Sequence, residues 1–264
     1  MNSIADMMFW VSLERGRYSH PLSIVPYQSQ VYSQNGEDGV IAEIFTRIGD
    51  EGRFFVEIGI EDGLQCNTRF LLERGWRGIW VEADASNAAK ALTTFRRFVD
   101  EGTLAVVVEA ATVDNVNDLL DRAGAPSQYD FLSLDVDHNT SHLWKALRSK
   151  SRAACIEYNA SLPPSLDAQV PYHPLSQWNG TNWYGASLKA LEEIGIARNM
   201  NLVGCELAGV NAFFVASVEA QGRFQSPFTA KEHYEPPRYS LVKTWGHPPA
   251  ATAGSRHLES SRRT

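Results

Sequence analysis

The sequence predicts a single α/β domain built on a seven-stranded, Rossmann-like sheet. Three observations predict it. Short apolar runs that fit buried strands alternate with amphipathic helical segments along most of the chain. The first run, at 54–58, leads into a turn with glycines at Gly59 and Gly63, as in the opening unit of a nucleotide-type fold. Two late strand-like segments, separated by three residues, predict a closing β-hairpin at the sheet edge.

The predicted elements follow one another with short connections. The parallel strands are expected at 54–58, 78–81, 104–110, 131–137 and 153–158, and the hairpin at 201–206 and 210–215. Helices are expected at 37–45, 64–75, 87–99, 113–123, 141–147 and 185–194. Strands that alternate with helices in this way form a parallel sheet covered on both faces. Its ligands bind at the carboxyl ends of the strands.

Composition narrows the class of protein. The chain has 264 residues, 44% hydrophobic and 21% charged, which suits one large domain with insertions. The net charge is −7 and no basic stripe is visible, so a nucleic-acid partner is not expected. Cys66, Cys155 and Cys205 are too widely spaced for a disulfide framework or a zinc site. No apolar stretch is long enough to cross a bilayer and no signal peptide is recognisable, so we expect a cytoplasmic protein without membrane contact.

The helix predicted from residue 37 follows a polar, glycine-containing segment. Ser33 or Asn35 can accept a hydrogen bond at its N-terminus. Gly36 and Gly39 are unfavourable inside a helix, and close approach of a ligand would explain them. Residues 1–30 before this segment are expected to cover part of the domain, which spans 31–247. The Pro-, Ala-, Ser- and Arg-rich tail at 248–264 is expected to be disordered.

An insertion at residues 159–184 interrupts the alternation of strands and helices. It contains four prolines and several aromatic residues, and its aromatic content argues against disorder. We interpret it as a lid or wall over the substrate; the alternative is an insertion that only packs on the surface. His173, Trp178, Trp183 and Tyr184 are the candidate substrate contacts, because such rings stack on a sugar face or an aromatic ring.

Acidic residues around the glycine turn decide which nucleotide fits. A dinucleotide needs free amide donors for its pyrophosphate, and Glu57, Glu61 and Asp62 would repel that anion. S-adenosylmethionine (SAM), which has a ribose and an amino group but no phosphate, fits better. Glu82 ends the next strand, roughly 20 residues on, where an acid is expected to bind ribose hydroxyls. The alternative is a glycine turn with only a structural role.

These segments together resemble the FkbM-type SAM-dependent methyltransferases. The resemblance rests on 33–38 (SQNGED), 55–63, 78–82 and 131–137, and it covers roughly residues 30 to 215. It implies a class I methyltransferase sheet and a reaction on oxygen in sugars or secondary metabolites. The chain departs from the family at 137–139, where it has Asp-His-Asn instead of an acid, a glycine and a further acid. The family's substrates are therefore not carried over.

The resemblance also implies which residues contact SAM. Those around the methionine and ribose are Glu57, Gly59, Asp62 and Gly63, with Glu82 on the ribose hydroxyls and Ala111 and Thr112 beside the adenine. The predicted reaction is direct transfer of the methyl group, so the protein mainly aligns the acceptor with the methyl carbon and the leaving sulfur. The alternative from another class is a SAM-fold protein that has lost transfer chemistry and acts as a binding or regulatory partner.

Acidic and amide side chains also end the fourth and fifth strands. Asp135 and Asp137 end one, and Glu157 and Asn159 end the other, and such ends are neighbours in a parallel sheet. Oxygen ligands of this kind suit Mg²⁺ or Ca²⁺. The arrangement resembles catechol- and macrocin-type O-methyltransferases, where acids at these strand ends hold Mg²⁺. The alternative is that Asp137 or Asn139 caps the helix that is predicted from residue 141.

His138 is the candidate general base, with His142 close behind it. Histidine titrates near neutral pH, and a base in this region is common in the metal-dependent enzymes that the sequence resembles. A metal-free enzyme would instead use Asp135 and His138 through hydrogen bonds alone. The predicted function is thus SAM-dependent O-methylation of a sugar or small-molecule acceptor, assisted by Mg²⁺ if the metal is present. The partner is a small molecule or glycan, and a homo-oligomer is left open.

Overall fold

The structure is a computed structural model that describes residues 16–174, 176 and 178–238. Seven strands form its centre: β1 (Phe54–Ile58), β2 (Arg77–Glu82), β3 (Leu104–Val108), β4 (Gln128–Leu134), β5 (Lys150–Glu157), β6 (Met200–Cys205) and β7 (Asn211–Ala216). They make one sheet in the order β3-β2-β1-β4-β5-β7-β6. The strands from β1 to β5 pair in parallel, whereas β7 is antiparallel to both β5 and β6. This is the sheet of class I methyltransferases, so the predicted fold class and closing hairpin are confirmed.

Helices cover both faces of this sheet. They are α1 (Glu37–Ile48), α2 (Arg69–Glu73), α3 (Ala85–Thr94), α4 (Arg96–Asp100), α5 (Val116–Arg122), α6 (Thr140–Ala146), α7 (Leu188–Ala197), α8 (Ser217–Ala220) and α9 (Ala230–His233). Apolar residues of α1 to α4 share one buried cluster with Phe55 and Trp80, and those of α5 to α7 share the other with Val56 and Ile79. Alternate residues of a strand point to opposite faces, so each strand contributes to both clusters.

The strand expected at 131–137 lies at Gln128–Leu134, so Asp135 and Asp137 follow it, and two predicted helices differ most from those observed. The helix expected at 64–75 begins only at Arg69, because the amides of Asn67 and Thr68 donate to the buried carboxylate of Glu57 before the helix starts. The helix expected at 87–99 is divided into α3 and α4 at Phe95, whose ring meets Trp80 edge-on with centroids 4.8 Å apart. Both differences arise from tertiary contacts that local propensity does not contain.

Gly36, and not Ser33 or Asn35, is the N-cap residue of α1, but Ser33 still binds the first turn of the helix. Its Oγ accepts the N–H of Asp38 at 3.1 Å. In return, Asp38 Oδ2 accepts the N–H groups of Val31, Tyr32 and Ser33 at 2.6–2.8 Å. This reciprocal arrangement folds the polar segment onto the first turn of the helix.

The expectation that Gly36 and Gly39 approach a ligand is wrong. Gly36 precedes the helix with a φ of +91°, which favours glycine. A Cβ on Gly39 would lie 2.1 Å from the carbonyl oxygen of Tyr27 and 2.6 Å from the nitrogen of Ser29. Both glycines therefore serve the packing of the chain against its own backbone.

The structure describes part of the predicted N-terminal segment but not the predicted C-terminal tail. Residues 16–30 form two 3₁₀ turns, and Ile24 is fully buried in the cluster that contains α1. Residues 1–15 and 239–264 lie outside the described part, which leaves the predicted tail at 248–264 and the end of the 31–247 domain as predictions. Within the described ranges, none of the helices combines the length and the apolar character that a membrane crossing requires.

Candidate functional site

A cavity of about 530 Å³ opens at the carboxyl ends of β1, β2, β4 and β5. Each strand end contributes to its lining: Gly59 after β1, Glu82 at the end of β2, Asp135 after β4 and Glu157 at the end of β5. The segment around the start of α1 and part of the insertion complete the walls. Ligands of parallel α/β sheets bind at this edge, so this cavity is the candidate site.

The lining of the cavity is strongly acidic. Its carboxylate residues are Glu37, Glu57, Glu61, Glu82, Glu109, Asp135, Asp137 and Glu157. Among the described residues that line it there is no lysine, arginine or histidine. A pyrophosphate would meet repulsion and no counter-charge here, in agreement with the exclusion of a dinucleotide from the sequence.

Glu82 lies where the sequence predicts a ribose contact. It is buried, and its Oε2 accepts the N–H of Glu61 at 2.7 Å while Oε1 accepts the N–H of Asp84 at 2.8 Å. Each oxygen of an ionised carboxylate has a second lone pair, so Glu82 can still accept from two hydroxyl groups. Ala83 and Ala111 are small residues that line the cavity beside it. The arrangement fits a ribose and the base attached to it.

A glycine is required at position 59 because the chain after β1 passes very close to the backbone at the end of β4. Its φ is +88°, and a Cβ at this position would lie 1.6 Å from the carbonyl oxygen of Asp135. On either side, Gly59 N–H donates to Val81 O and Asp135 N–H donates to Ile58 O. The absence of a side chain therefore lets the strand ends that carry Glu82 and Asp135 stay close together.

Glu57 lines the cavity but uses its carboxylate on the protein. It accepts from the N–H groups of Asn67 and Thr68 at 2.8 and 2.9 Å and from the Thr68 hydroxyl. Burial raises its pKa, and these hydrogen bonds act in the opposite direction. Glu57 thus holds the turn whose residues Gln65, Cys66 and Asn67 line the cavity, and it positions the site instead of offering a free carboxylate.

Three predicted cofactor residues do not line the cavity. Asp62 accepts the N–H of Leu64, and Thr112 exchanges hydrogen bonds with Asn115 before α5. A Cβ on Gly63 would lie 2.9 Å from the indole of Trp80, because the turn after β1 bends towards the core at this point. These residues shape loops near the cavity, while Glu57, Gly59, Glu82 and Ala111 are the predicted residues that border it.

Three of the four predicted metal ligands come together. One carboxylate oxygen each from Asp135, Asp137 and Glu157 lies within 4.8 Å of the others. Burial raises the pKa of Asp135 to about 6. Burial, followed by the charges of the neighbouring acids, raises the pKa of Glu157 well above its ordinary value. Carboxylates this close require protons or a cation between them, and their oxygens fit a hard divalent ion.

Asn159, the fourth predicted ligand, is used elsewhere. Its Nδ2 donates to the carbonyl oxygens of Asn182 and Tyr184, both at 2.9 Å, and its Oδ1 accepts the N–H of Ser161 at 3.0 Å. The side chain therefore ties the two ends of the insertion to β5. Asn159 does not border the cavity, so the structure does not bring it together with the three acids, and its assignment as a metal ligand stays a prediction.

His138 turns away from the cavity and contacts the insertion. Its Nε2 lies 3.2 Å from the carbonyl oxygen of Pro171, and the Nε2 of His142 lies 2.8 Å from that of Val170. The 3₁₀ turn Asp137–Asn139 changes the direction of the chain shortly after Asp135. His138 does not line the cavity, whereas Asp135 borders it, so the assignment of His138 as general base stays a prediction.

Replacing His138 with alanine should loosen the insertion without changing SAM affinity. The substitution removes the side chain that contacts Pro171, while Glu82 and the cofactor half of the cavity keep their contacts. Hydrogen exchange measured by mass spectrometry should become faster at 170–174, and calorimetry with SAM should give an unchanged affinity. Unchanged exchange in this segment would contradict the anchoring role.

The insertion borders the cavity through a short part of its length. Trp178 lines the cavity together with Pro174 and Ser176, and its Nε1 donates to the carbonyl oxygen of Thr181. His173, Trp183 and Tyr184 do not line it, and Tyr184 is buried. Of the four predicted substrate contacts, only Trp178 is brought to the cavity. The other described residues of the insertion lie outside the lining, and some of them contact the residues that follow β4.

The sequence interpretation missed a group of polar residues on the far side of the cavity. Glu37 accepts from Asn35 N–H and Nδ2 at 2.8 and 3.1 Å and from Asn211 Nδ2 at 2.8 Å. Asn211 begins β7 and pairs in register with Glu157. It lies 174 residues from Glu37, so only the predicted pairing of the hairpin with the fifth strand could have indicated it.

No protein-family model and no curated relative matches the sequence. Among solved structures, the chain is similar to the pyocyanin biosynthetic protein PhzM, with 12% identity, a TM-score of 0.38 and coverage of 66% of this chain and 53% of that chain. It thus spans about half the length of PhzM. It is also similar to a SAM-dependent methyltransferase from Clostridium acetobutylicum, with 10% identity, a TM-score of 0.43 and coverage of 81% and 99%.

A third similar structure is an O-methyltransferase from Bacillus cereus in complex with S-adenosylhomocysteine (SAH). Its identity to this chain is 15%, the TM-score is 0.46, and the similarity covers 81% of this chain and 90% of that chain. Likenesses this distant do not bear on the reaction. The class I methyltransferase fold is assigned from the strand order and from the antiparallel β7 of the chain itself.

Proposed function

We propose that the protein is a SAM-dependent methyltransferase that methylates a hydroxyl oxygen of a sugar or other small molecule. One observation carries this proposal. A single cavity joins Glu82, at the strand end suited to a ribose, with Asp135, Asp137 and Glu157 at the neighbouring strand ends. A cofactor and an acceptor can therefore lie side by side on the edge of the sheet, as transfer between them requires.

The cofactor half is supported by Glu82, Gly59 and Ala111. Glu82 can accept from two ribose hydroxyls, and Gly59 lets the strand ends that carry Glu82 and Asp135 lie close together. A cavity without lysine, arginine or histidine among its described lining residues also suits the positive sulfonium of SAM. SAM supplies an already activated methyl group, so the protein contributes alignment and removal of one proton.

The acceptor half is supported by the three acids at the ends of β4 and β5. Asp135, Asp137 and Glu157 would hold Mg²⁺, which when bound lowers the pKa of a hydroxyl in contact with it. Without a metal, Asp135 can take the proton itself, since a pKa of about 6 lies close to neutral pH. The acceptor oxygen then forms its bond to the methyl carbon as the sulfur departs as a thioether, and the proton remains on Asp135.

Replacing Glu82 with alanine should weaken SAM binding by at least about a hundredfold. Two hydrogen bonds from ribose hydroxyls to a charged carboxylate are lost, each of which contributes about 1.5–3 kcal/mol. Isothermal titration calorimetry with SAM measures the affinity. Glu109→Ala is the matched control, since Glu109 borders the same cavity but is exposed and pairs with Arg122. Equal affinities for the wild type and Glu82→Ala would contradict the placement of the ribose.

A transfer assay tests the reaction itself. The protein is incubated with SAM carrying a radiolabelled methyl group and with panels of sugars and phenols, with and without EDTA. Transfer to a hydroxyl oxygen supports the proposal, and loss of transfer with EDTA supports the metal. SAM binding without transfer to any acceptor would favour a binding or regulatory protein, and absence of SAM binding would overturn both functions.

A further inference from the structure

Two buried asparagines on the acceptor side of the cavity have side-chain oxygens without a partner. Asn35 is 2% exposed and Asn211 is 4% exposed, and both residues line the cavity. None of the residues that the structure describes donates a hydrogen bond to either Oδ1. An unsatisfied buried acceptor is unfavourable, so a ligand gains binding energy when it reaches these oxygens and donates hydrogen bonds to them.

The orientation of both amides is determined by Glu37. A carboxylate only accepts hydrogen bonds, so each asparagine must direct its NH₂ group to Glu37, as observed for Asn35 Nδ2 and Asn211 Nδ2. Neither amide can be reversed without placing a carbonyl oxygen against the carboxylate. Asn35 and Asn211 therefore present acceptors, not donors, on their other side.

Asn35 and Asn211 lie on the side of the cavity assigned to the acceptor and not on the side assigned to the cofactor. Asn211 is the register partner of Glu157 on the neighbouring strand. The strand order places β7 four strands from β2, whose end carries Glu82. With about 4.8 Å between neighbouring strands, the separation is about 19 Å. The ribose contact and the two asparagines are therefore at opposite ends of the cavity.

We propose that the methyl acceptor carries a protonated amine, as an amino sugar or another amine-bearing alcohol does, and that the ammonium donates to Asn35 Oδ1 and Asn211 Oδ1. The inference deepens the proposed function and rests on it for the reaction. An ammonium group has three donors and a positive charge. The two free acceptors and the acidic lining complement both properties, and charge-assisted hydrogen bonds are the strongest kind available here.

A matched ligand panel tests the preference. Binding of glucosamine, glucose and glucuronate, and of tyramine, 4-ethylphenol and 4-hydroxyphenylacetate, is measured by calorimetry and saturation-transfer NMR in the presence of SAH and Mg²⁺. In each set the amine should bind at least about tenfold more tightly than the neutral compound, and the acid most weakly. No binding of either amine, or equal affinities within the sets, would overturn the proposal.

Replacing Glu37 with glutamine should remove this preference for a specific reason. The glutamine oxygen must take the position that accepts Asn35 N–H, because that group can only donate. The new NH₂ group then faces both asparagine amides, which must reverse and present NH₂ groups to the cavity. The amine preference should fall to about twofold or less. A preference unchanged from the wild type would overturn the proposed contact.

Two controls separate this proposal from the proposed function. Glu43→Gln makes the same chemical change on α1 at a residue that pairs with Arg47 and does not line the cavity, and it should leave ligand preference unchanged. SAM affinity is measured for every variant. SAM binding with no amine preference overturns this inference alone, whereas loss of SAM binding in the wild type overturns the proposed function.

Discussion

Replacing Gly59 with alanine should destabilise the protein by more than about 3 kcal/mol and remove SAM binding. The new Cβ would lie 1.6 Å from the carbonyl oxygen of Asp135, a backbone atom that cannot rotate away. The residue would also have to keep a φ of +88°, which is unfavourable for alanine. Relief of the clash requires the ends of β1 and β4 to separate, which removes the hydrogen bond from Asp135 N–H to Ile58 O.

Gly75→Ala provides the matched control. Gly75 has a φ of +82°, but apart from its chain neighbours no atom of the described residues lies within 4 Å of the position that its Cβ would occupy. The free energy of unfolding of Gly75→Ala should therefore fall only by the cost of placing alanine at a positive φ, about 1–2 kcal/mol, and this variant should bind SAM normally. Urea denaturation gives the free energy of unfolding of both variants. If Gly59→Ala were no less stable than Gly75→Ala, the close contact between Gly59 and the backbone of Asp135 would be wrong.

Replacing Asp135 with asparagine should weaken divalent-ion binding by at least about tenfold and lower the rate of methyl transfer. The substitution keeps the shape but removes one charge from the group formed with Asp137 and Glu157. Mn²⁺ can stand in for Mg²⁺ because its binding is measured directly by electron paramagnetic resonance. Asp62→Asn is the matched control, since Asp62 lies after β1 and does not line the cavity. Equal Mn²⁺ affinity in the wild type and Asp135→Asn would remove the metal from the proposal.

The same substitution should change how stability depends on pH. In the protein without a metal, the pKa of Asp135 is about 6, against about 3.9 in an unfolded chain. Between these values the folded protein keeps a proton that the unfolded chain has lost, so the free energy of unfolding should fall as the pH rises. Glu157 and Glu206, whose pKa values are also raised by burial, extend the fall to higher pH. Thermal unfolding from about pH 4 to pH 7 should show a shallower fall in Asp135→Asn.

Most of the fold follows from local pattern. The runs at 54–58 and 78–81 are apolar and short, and glycines or acids end them, which is sufficient to predict parallel strands and their ligand-binding edge. The boundaries were less predictable, because contacts between distant residues decide them. The amides before α2 bind Glu57, and Phe95 packs on Trp80 where one helix was expected.

The structure brings the predicted site residues together where they stand at or directly after a strand end. Glu82, Asp135 and Glu157 border the cavity because the geometry of a parallel sheet places such residues at one edge. Predictions for residues in loops were less successful: Asn159 holds the insertion and His138 contacts Pro171. Loop side chains have no periodicity that determines their direction, so the sequence could not distinguish a ligand from an anchor.

The sequence by itself determined the order of strands and helices, the acidic character of the ligand-binding edge and the exclusion of a pyrophosphate. These properties depend on residue type and spacing, which local physics converts into structure. Only the tertiary structure decided which polar groups remain available to a ligand. Glu57 and Asn159 are engaged by the protein, while Asn35 and Asn211 have free oxygens because Glu37 lies between them. Polar groups far apart in the chain form their hydrogen bonds only once the fold has formed. Groups that the protein then satisfies have a structural role, and groups left without a partner can bind a ligand.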